Sequence, residues 1–454
     1  MIDAIANIFR IPDLRKRVIF TFGVLALLQI GKYLPIPGID PTQIKFGTQG
    51  GGGLFSLVDL FAGGAFRQCS IFALGIMPYI SASIILQLLT VSSPYLEELS
   101  KKGEEGRKKI NQYTRYLTVA ITALQAFMLS FSFENSESMW GQMVYEPGWT
   151  FKILTVFSIT AGTIIIMWLG ELITERGIGN GISLIIFFNI VARVPSVAGK
   201  AFKLLQMEEP SFTPLDGLAV AVMCVVVVAG VCLIQYGQRR VPIKRGRVQR
   251  GKMYGAQANS YLPLKINTAG VIPVIFAAAI MMLPATFLQF LTPLQGSENA
   301  IAAFIYNSLD YLANMLMTGK PLYTVLYVAL IIFFCYFYTA ITFNPKDVAE
   351  NLQKYGSTIP GYSHGKKTEQ YLSRILNRIT LAGSVFLAAV AVLPDLVGVW
   401  MKIDPGITSI MSGTSIIIIV GVALDTVNQV ENHLRVRNYD GFRKRGKVKG
   451  RSGM

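Results

Sequence analysis

Runs of about 20 apolar residues recur along the whole chain, and this recurrence constrains the fold more than any other feature. An α-helix needs about 20 residues to cross the ~30 Å hydrocarbon core of a bilayer, because each residue adds only ~1.5 Å. Of the 454 residues, 52% are hydrophobic and 15% are charged, and no stretch predicts a large soluble domain. The sequence therefore predicts an all-α protein that crosses a membrane many times.

Ten transmembrane spans are predicted. They lie at about residues 18–35, 70–91, 114–133, 150–172, 180–196, 215–236, 269–292, 321–343, 376–394 and 408–428. Ten spans divide into five plus five with opposite starting sides, which permits two inverted halves. Because no repeat is visible residue by residue, the division into 1–197 and 198–454 is an expectation about architecture alone.

The placement of basic residues orients these spans. With the N-terminus in the cytoplasm, segments on that side hold 33 Lys and Arg against 14 Asp and Glu, whereas the outer segments hold 9 against 12. Cytoplasmic segments of membrane proteins are enriched in Lys and Arg, so the bias predicts that both termini are cytoplasmic. The net charge of +16 is thus partly a topology signal and is weak evidence for nucleic-acid binding.

Two predicted cytoplasmic loops, at about residues 237–266 and 344–375, are long and basic. The first carries seven Lys and Arg and no acidic residue between Gln238 and Lys252. Such a surface suits an acidic partner, namely ribosomal RNA, anionic lipid or an acidic protein face. The alternative is that both loops are basic only because they are cytoplasmic. The basic C-terminal tail is a further candidate for contact with anionic phospholipids.

Ionisable residues are nearly absent from the interiors of the predicted spans. Such residues are costly in a bilayer and mark transport or catalytic sites. Lys32, Glu171, Glu175 and Arg176 sit near span ends, and Asp425 is the clearest exception. The cysteines and histidines lack metal-ligand spacing, and no catalytic nucleophile is identifiable. These observations disfavour an intramembrane enzyme or a secondary transporter, which is the main alternative, and they indicate no cofactor or metal.

A short apolar segment, Leu54 to Phe66, precedes the second span. As a helix its 13 residues reach about 20 Å, which is too short to cross a membrane. Gly63 and Gly64 interrupt it near its end. Backbone of this kind has to be buried in protein or line a cavity, because irregular backbone in lipid leaves polar groups unpaired.

Isoleucines recur at helical spacing in several spans. Ile76 and Ile80 are four residues apart and share one helical face, and Ile182 and Ile186 repeat the pattern after a glycine-rich turn. Further isoleucines occur in the seventh span and at 416–419. Stiff β-branched side chains meeting at a constriction would exclude water and ions. Taken singly, each is better explained as an ordinary core or lipid-facing residue, and the sequence alone does not select the members of such a constriction.

Several long motifs resemble the SecY family of protein-conducting channel subunits. They cover essentially the whole chain and comprise Gly75–Ile85, Gly106–Ile110, Gln112–Tyr116, Trp168–Glu171, Ile173–Ser183, Leu262–Lys265 and Ala269–Pro273. The resemblance implies a clamshell of ten transmembrane helices around an hourglass pore. It implies a channel, not an enzyme, that passes unfolded secretory proteins across the bacterial plasma membrane and releases membrane helices sideways into lipid.

The resemblance also assigns site residues. The family's pore ring falls on Ile76, Ile80, Ile182, Ile186, Ile275 and Ile418. Its plug, a helix that closes the outer funnel, falls on Leu54, Phe55, Leu57, Val58, Leu60, Phe61, Gly63 and Gly64. The two glycines would let the plug hinge away. Spans 2 and 7 correspond to the two sides of the lateral gate, with Gln87 as a candidate polar gate residue.

The basic loops correspond to the family's docking surface for the ribosome or the SecA motor. The candidate contacts are Arg245, Arg247, Arg250, Lys252, Lys366 and Lys367. SecE and SecG are the implied membrane partners, and signal peptides and nascent chains are the implied substrates. In one departure, relatives often carry an arginine directly after Pro-Gly in the last large loop, whereas Pro360-Gly361 is followed here by Tyr362-Ser363-His364. Lys366 is a candidate replacement.

Overall fold

The computed structural model describes residues 11–40, 59, 61–135, 144–205, 214–245, 249–250, 253–254, 259–291, 308, 311, 315–316, 320–363, 365–401 and 412–445. Several predicted site residues lie outside this part of the chain. They are the plug residues Leu54, Phe55, Leu57, Val58 and Leu60 and the docking candidates Arg247 and Lys252. The end of the basic tail, from residue 446 onward, also lies outside it.

Helices dominate the described residues, and each of the ten predicted spans overlaps one of them. The helices are α1 (Pro12–Gly31), α2 (Met77–Ser92), α3 (Pro94–Lys101), α4 (Glu104–Asn135), α5 (Trp149–Arg176), α6 (Gly181–Leu205), α7 (Pro214–Tyr236), α8 (Ile272–Leu291), α9 (Pro321–Thr342), α10 (Pro345–Lys354), α11 (Lys366–Trp400) and α12 (Gly413–Arg445). By length and hydropathy, seven described helices are able to cross a membrane. The number is eight if α2 and α3, which meet at 99°, form one broken span.

Helix ends differ from the predicted span ends in two ways. α11 begins at Lys366, well before residue 376, and α6 continues past residue 196 to Leu205. Hydropathy detects burial in lipid, whereas helical hydrogen bonding also continues through polar turns such as those at the start of α11. In contrast, residues 70–76 of the second predicted span are not helical. Cys69 (φ 46°) and Gly75 (φ 55°) adopt left-handed backbone there, which interrupts a right-handed helix.

The all-α prediction needs a correction, because short strands form between α7 and α8 and before α11. They are β1 (Gln238–Arg245), β2 (Gln249–Arg250), β3 (Met253–Tyr254), β4 (Asn259–Lys265) and β5 (Ser357–Thr358). β1 lies between β4 and β5 in an antiparallel three-stranded sheet, and β2 pairs with β3. In β1, buried Val241 and Ile243 alternate with exposed Pro242 and Lys244. This period of two is the signal of a half-buried strand.

The sheet joins the two basic loops into one unit. β1 and β4 come from the first loop and β5 comes from the second, where Lys244 pairs with Thr358. A small apolar core lies under this unit and comprises Val241, Leu264, Ile359, Leu372 and Ile375. The last two residues belong to α11, so the sheet is anchored on the polar extension of that helix.

Packing divides the described helices into two groups. In the first, α5 contacts α1, α4 and α6, and α4 contacts α2. In the second, α11 contacts α7, α9 and α12, while α8 contacts α9 and α12 and α7 contacts α12. The principal contacts between the groups are α2 with α8, α4 with α8, and α6 with α12. A single apolar cluster extends through both groups.

Candidate functional site

The chain enters α2 through a turn shaped by glycine and proline. Gly75 has φ 55°, and a Cβ atom placed on it would lie 3.1 Å from the Cα atom of Ala62, so the two backbones pass closely. Pro78 stands in the first turn of α2, where its missing N–H removes no helical hydrogen bond. The N–H of Ile80 donates to the carbonyl oxygen of Ile76 at 3.1 Å. The two isoleucines therefore stand one turn apart, as their spacing predicts.

The six isoleucines of the predicted ring meet in the central apolar cluster. Five of them are buried in it and one, Ile182, packs against it; the buried ones are Ile76, Ile80, Ile186, Ile275 and Ile418. They are supplied by the start of α2 and by α6, α8 and α12, so both helix groups contribute. Ile76 is 1% exposed and Ile418 0%. These side chains are therefore shielded from water in this conformation. That the six surround a pore stays a prediction.

The described part of the predicted plug, Asp59 and Phe61–Phe66, is called the plug segment below. Phe61, Ala62, Ala65 and Phe66 are buried in the same cluster as the isoleucines. Gly63 (φ 67°) and Gly64 (φ 91°) have left-handed backbone, and the Gly64 N–H donates to the Asp59 carbonyl oxygen at 3.0 Å. This six-residue closure is typical of a Schellman helix end, where glycine is favoured. The glycines therefore terminate a helical turn, and hinging at them stays a prediction.

Polar contacts tie the plug segment to α6 and α1. Asn189 on α6 donates from Nδ2 to the carbonyl oxygen of Phe61 at 2.7 Å. Lys32, directly after α1, donates from Nζ to Gln29 Oε1 at 2.7 Å and to the Gly63 carbonyl oxygen at 3.4 Å. These side chains are buried. The plug segment is thus held by directional bonds as well as by apolar packing.

A buried charge cluster surrounds Asp59. Its carboxylate lies 3.0 Å from Arg67 Nε and 3.4 Å from an amino nitrogen of Arg193. Arg193 lies within α6, inside a helix apolar enough to cross a membrane. Arg193 is thus an ionisable residue inside a membrane-length helix, one that the sequence analysis did not single out beside Asp425. A count of charges along the sequence does reveal Arg193, but its partner is more than a hundred residues away.

Helices α2 and α8, which correspond to predicted spans 2 and 7, contact each other. Gln87 on α2 is half-buried, and its Nε2 donates to Ser83 Oγ of the same helix at 3.2 Å. In this conformation its amide bonds within its own helix. A role for Gln87 at a seam between the two helices stays a prediction.

A polar cavity of about 440 Å³ lies beside Asp425. Gln235 donates from Nε2 to Asp425 Oδ1 at 3.4 Å, and Asn267 donates from Nδ2 to Gln235 Oε1 at 3.3 Å. Lys265, the last residue of β4, also lines the cavity. The cavity therefore lies at the end of the bundle that carries the sheet. Sequence reasoning identified Asp425 as an exception but did not find this polar mouth.

The described docking candidates lie on or beside the sheet. Arg245 ends β1 and Arg250 ends β2, while Lys366 and Lys367 are exposed at the start of α11. Tyr362, which stands where relatives often carry arginine, stacks on Tyr371 with ring centroids 4.0 Å apart. Its ring packs against α11, and the next exposed basic residues along the chain are Lys366 and Lys367.

Together the membrane-length apolar helices and the apolar cluster that extends through both helix groups define the class of this molecule, a polytopic α-helical membrane protein. The SecY family model matches residues 70–427, which is most of the chain. The chain belongs to the SecY family. It is 43% identical to the protein translocase subunit SecY of Streptomyces scabiei over 450 residues, covering 97% of this chain and 100% of the relative. It is 42% identical to that of Thermotoga maritima over 460 residues, covering 99% and 100%.

Solved structures agree at the level of the fold. A protein-conducting channel matches with a TM-score of 0.61 at 19% identity, covering 92% of both chains. A SecY structure matches with a TM-score of 0.60 at 18% identity, again covering 92% of both chains. In that protein the plug domain is described as stabilising the closed state of the channel and maintaining a membrane seal. Canine Sec61 in a ribosome–channel complex matches with a TM-score of 0.58 at 18% identity and the same coverage of both chains.

Proposed function

We propose that this chain is the central subunit of a protein-conducting channel. It passes unfolded secretory proteins across a membrane and releases the helices of membrane proteins sideways into lipid. The observation that carries the proposal is the sealed aliphatic centre, where isoleucines from both helix groups are buried with the plug segment against them. A passive channel has to pass every kind of side chain, and an aliphatic collar offers few polar groups to hold one.

The architecture we propose is ten transmembrane helices in two inverted halves, which close like a clamshell around an hourglass pore. The overlap of each predicted span with a helix supports it, as does the division of packing into two groups. The ring of six isoleucines forms the waist of the hourglass. The plug segment lies on its outer side, and the polar cavity beside Asp425 forms the cytoplasmic mouth.

Opening toward lipid takes place between α2 and α8 in this proposal. These helices form the most extensive contact of α8 with the first helix group. A signal helix that binds better to the open seam shifts the equilibrium toward the open state by its difference in affinity. Its apolar length therefore sets how strongly it opens the channel.

The proposed setting is the bacterial plasma membrane, with both termini in the cytoplasm. SecE and SecG are the proposed membrane partners, and the ribosome and the SecA motor dock on the two basic loops. The sheet supports this docking because it presents both loops as one surface. Anionic phospholipids bind the basic segments in the same manner.

The test is to replace Ile80 or Ile186 by asparagine and to record ion conductance of the full chain in planar bilayers. A polar side chain at the sealed centre attracts water, so we expect a higher ion leak for both variants. Ile153→Asn, on an exposed face of α5, is the matched control and should not leak. Unchanged conductance in both ring variants would contradict the proposal.

A further inference from the structure

The charge cluster around Asp59 places four charged side chains where apolar side chains would fill the same space. A carboxylate that is 1% exposed lies among three basic side chains, Arg67, Arg193 and Lys32. All four line one cavity of about 280 Å³. Buried charges are costly unless they are paired, so this arrangement depends on Asp59 staying where it is.

The partners of Asp59 belong to different parts of the molecule. Arg193 is carried by α6, and Lys32 follows α1, so both are supplied by the helix bundle. Arg67 follows the plug segment directly, and its backbone N–H also donates to Asp59 Oδ1 at 3.2 Å. Displacing the plug segment from α6 therefore breaks the contact with Arg193 and leaves two cations facing an emptied cavity.

We propose that Asp59 and Arg193 form an electrostatic latch that holds the plug segment in the closed position. This inference rests on the proposed channel function, and it assigns the closed state to one named ion pair. The Arg193 contact, at 3.4 Å, is a charge pair without an aligned hydrogen bond. Such a contact stabilises the closed state and still yields when a translocating chain competes for the space.

The cavity explains why the latch is reversible. It borders Gly63, Gly64 and Ser196 as well as the charged side chains, so the cluster is next to space that water can fill. When the plug segment moves away, water solvates Arg193 and Lys32 and replaces part of the lost interaction. The latch is therefore weaker than a dry buried ion pair and stronger than an exposed one.

The experiment compares Asp59→Asn, Arg193→Gln and the double variant, each as the full chain in planar bilayers without substrate. We expect each single variant to raise the open fraction about tenfold, which corresponds to ~1.4 kcal/mol. Because both remove the same pair, the double variant should open no more than the stronger single one. If only one of the single variants assembles, a wild-type open fraction in that variant contradicts the latch and a raised one supports it.

Glu134→Gln is the control, because Glu134 forms a largely shielded ion pair, with an N–O distance of 2.9 Å, to Lys152 between α4 and α5. Its open fraction should equal that of the wild type. Two results would overturn the latch: wild-type conductance in both single variants, or an equal rise in the control. Ile80→Asn separates the two proposals. A leak in Ile80→Asn without one in either latch variant contradicts the latch alone, whereas no leak in any of the three variants contradicts the channel function.

Discussion

Replacing Asn189 by alanine tests how far a single hydrogen bond holds the closed state. The bond from Asn189 Nδ2 to the Phe61 carbonyl oxygen is 2.7 Å long, and Phe61 is 1% exposed. Alanine leaves that carbonyl oxygen without its donor, which costs about 1–3 kcal/mol for a buried group. The open fraction should then rise by about 5–150-fold. The neighbouring cavity at Gly63 admits water, which can donate a hydrogen bond to the Phe61 carbonyl oxygen and lower this cost. We therefore expect a rise in the open fraction of about tenfold.

The assay is single-channel conductance of the full chain in planar bilayers, recorded with a thermal unfolding curve for each variant. Tyr327→Phe is the matched control, because it removes a buried bond of 2.6 Å between Tyr327 and Thr414 in the second helix group. The control should lower the unfolding temperature and leave conductance unchanged. A wild-type open fraction in Asn189→Ala, or an equal rise in Tyr327→Phe, would show that this bond does not hold the plug segment closed.

Two further predictions concern the plug segment and the basic loops. Gly63→Ala should raise ion leak by about 5–30-fold, because an alanine at φ 67° costs ~1–2 kcal/mol and its Cβ atom would collide with the Lys32 side chain. The control is Gly23→Ala, on an open face of α1, which should not change the ion leak. Equal leak in both glycine variants would count against this. Reversing the charges of Lys366 and Lys367 to glutamate should weaken binding of ribosomes or SecA to reconstituted vesicles, most strongly at low salt. Affinity that does not change at any salt concentration would exclude them as docking contacts.

The helices were predictable because lipid burial leaves a strong mark on a sequence. Each predicted span overlaps a described helix, yet the helix ends differ from the predicted span ends, as at Lys366, where polar residues continue the helix, and at Leu205. The irregular backbone at Cys69 was not predictable from an apolar pattern, because a non-glycine residue with positive φ carries no hydropathy signal. Local pattern therefore predicts which segments enter the membrane better than where each helix begins.

The sheet and the charge cluster show a different limit. The alternation at Val241 and Ile243 is a local signal for β1, but its pairing with β5 joins segments far apart in sequence. The approach of Arg193 to Asp59 is likewise a product of tertiary packing. The isoleucines were assigned by family motifs, since their spacing alone fits core or lipid contact better than a pore. Sequence thus supplied candidates, while the structure shows which of them lie together.

The most direct test of the channel proposal is photocrosslinking at Ile80. A photoreactive residue replaces Ile80 in the full chain, and a secretory protein is stalled during translocation into reconstituted vesicles. Leu27, which is exposed on α1, serves as the lipid-facing control position. If the channel proposal is correct, position 80 crosslinks to the stalled chain and position 27 does not. Crosslinks from position 80 only to lipid or neighbouring helices, while translocation proceeds, would contradict it and place the path elsewhere.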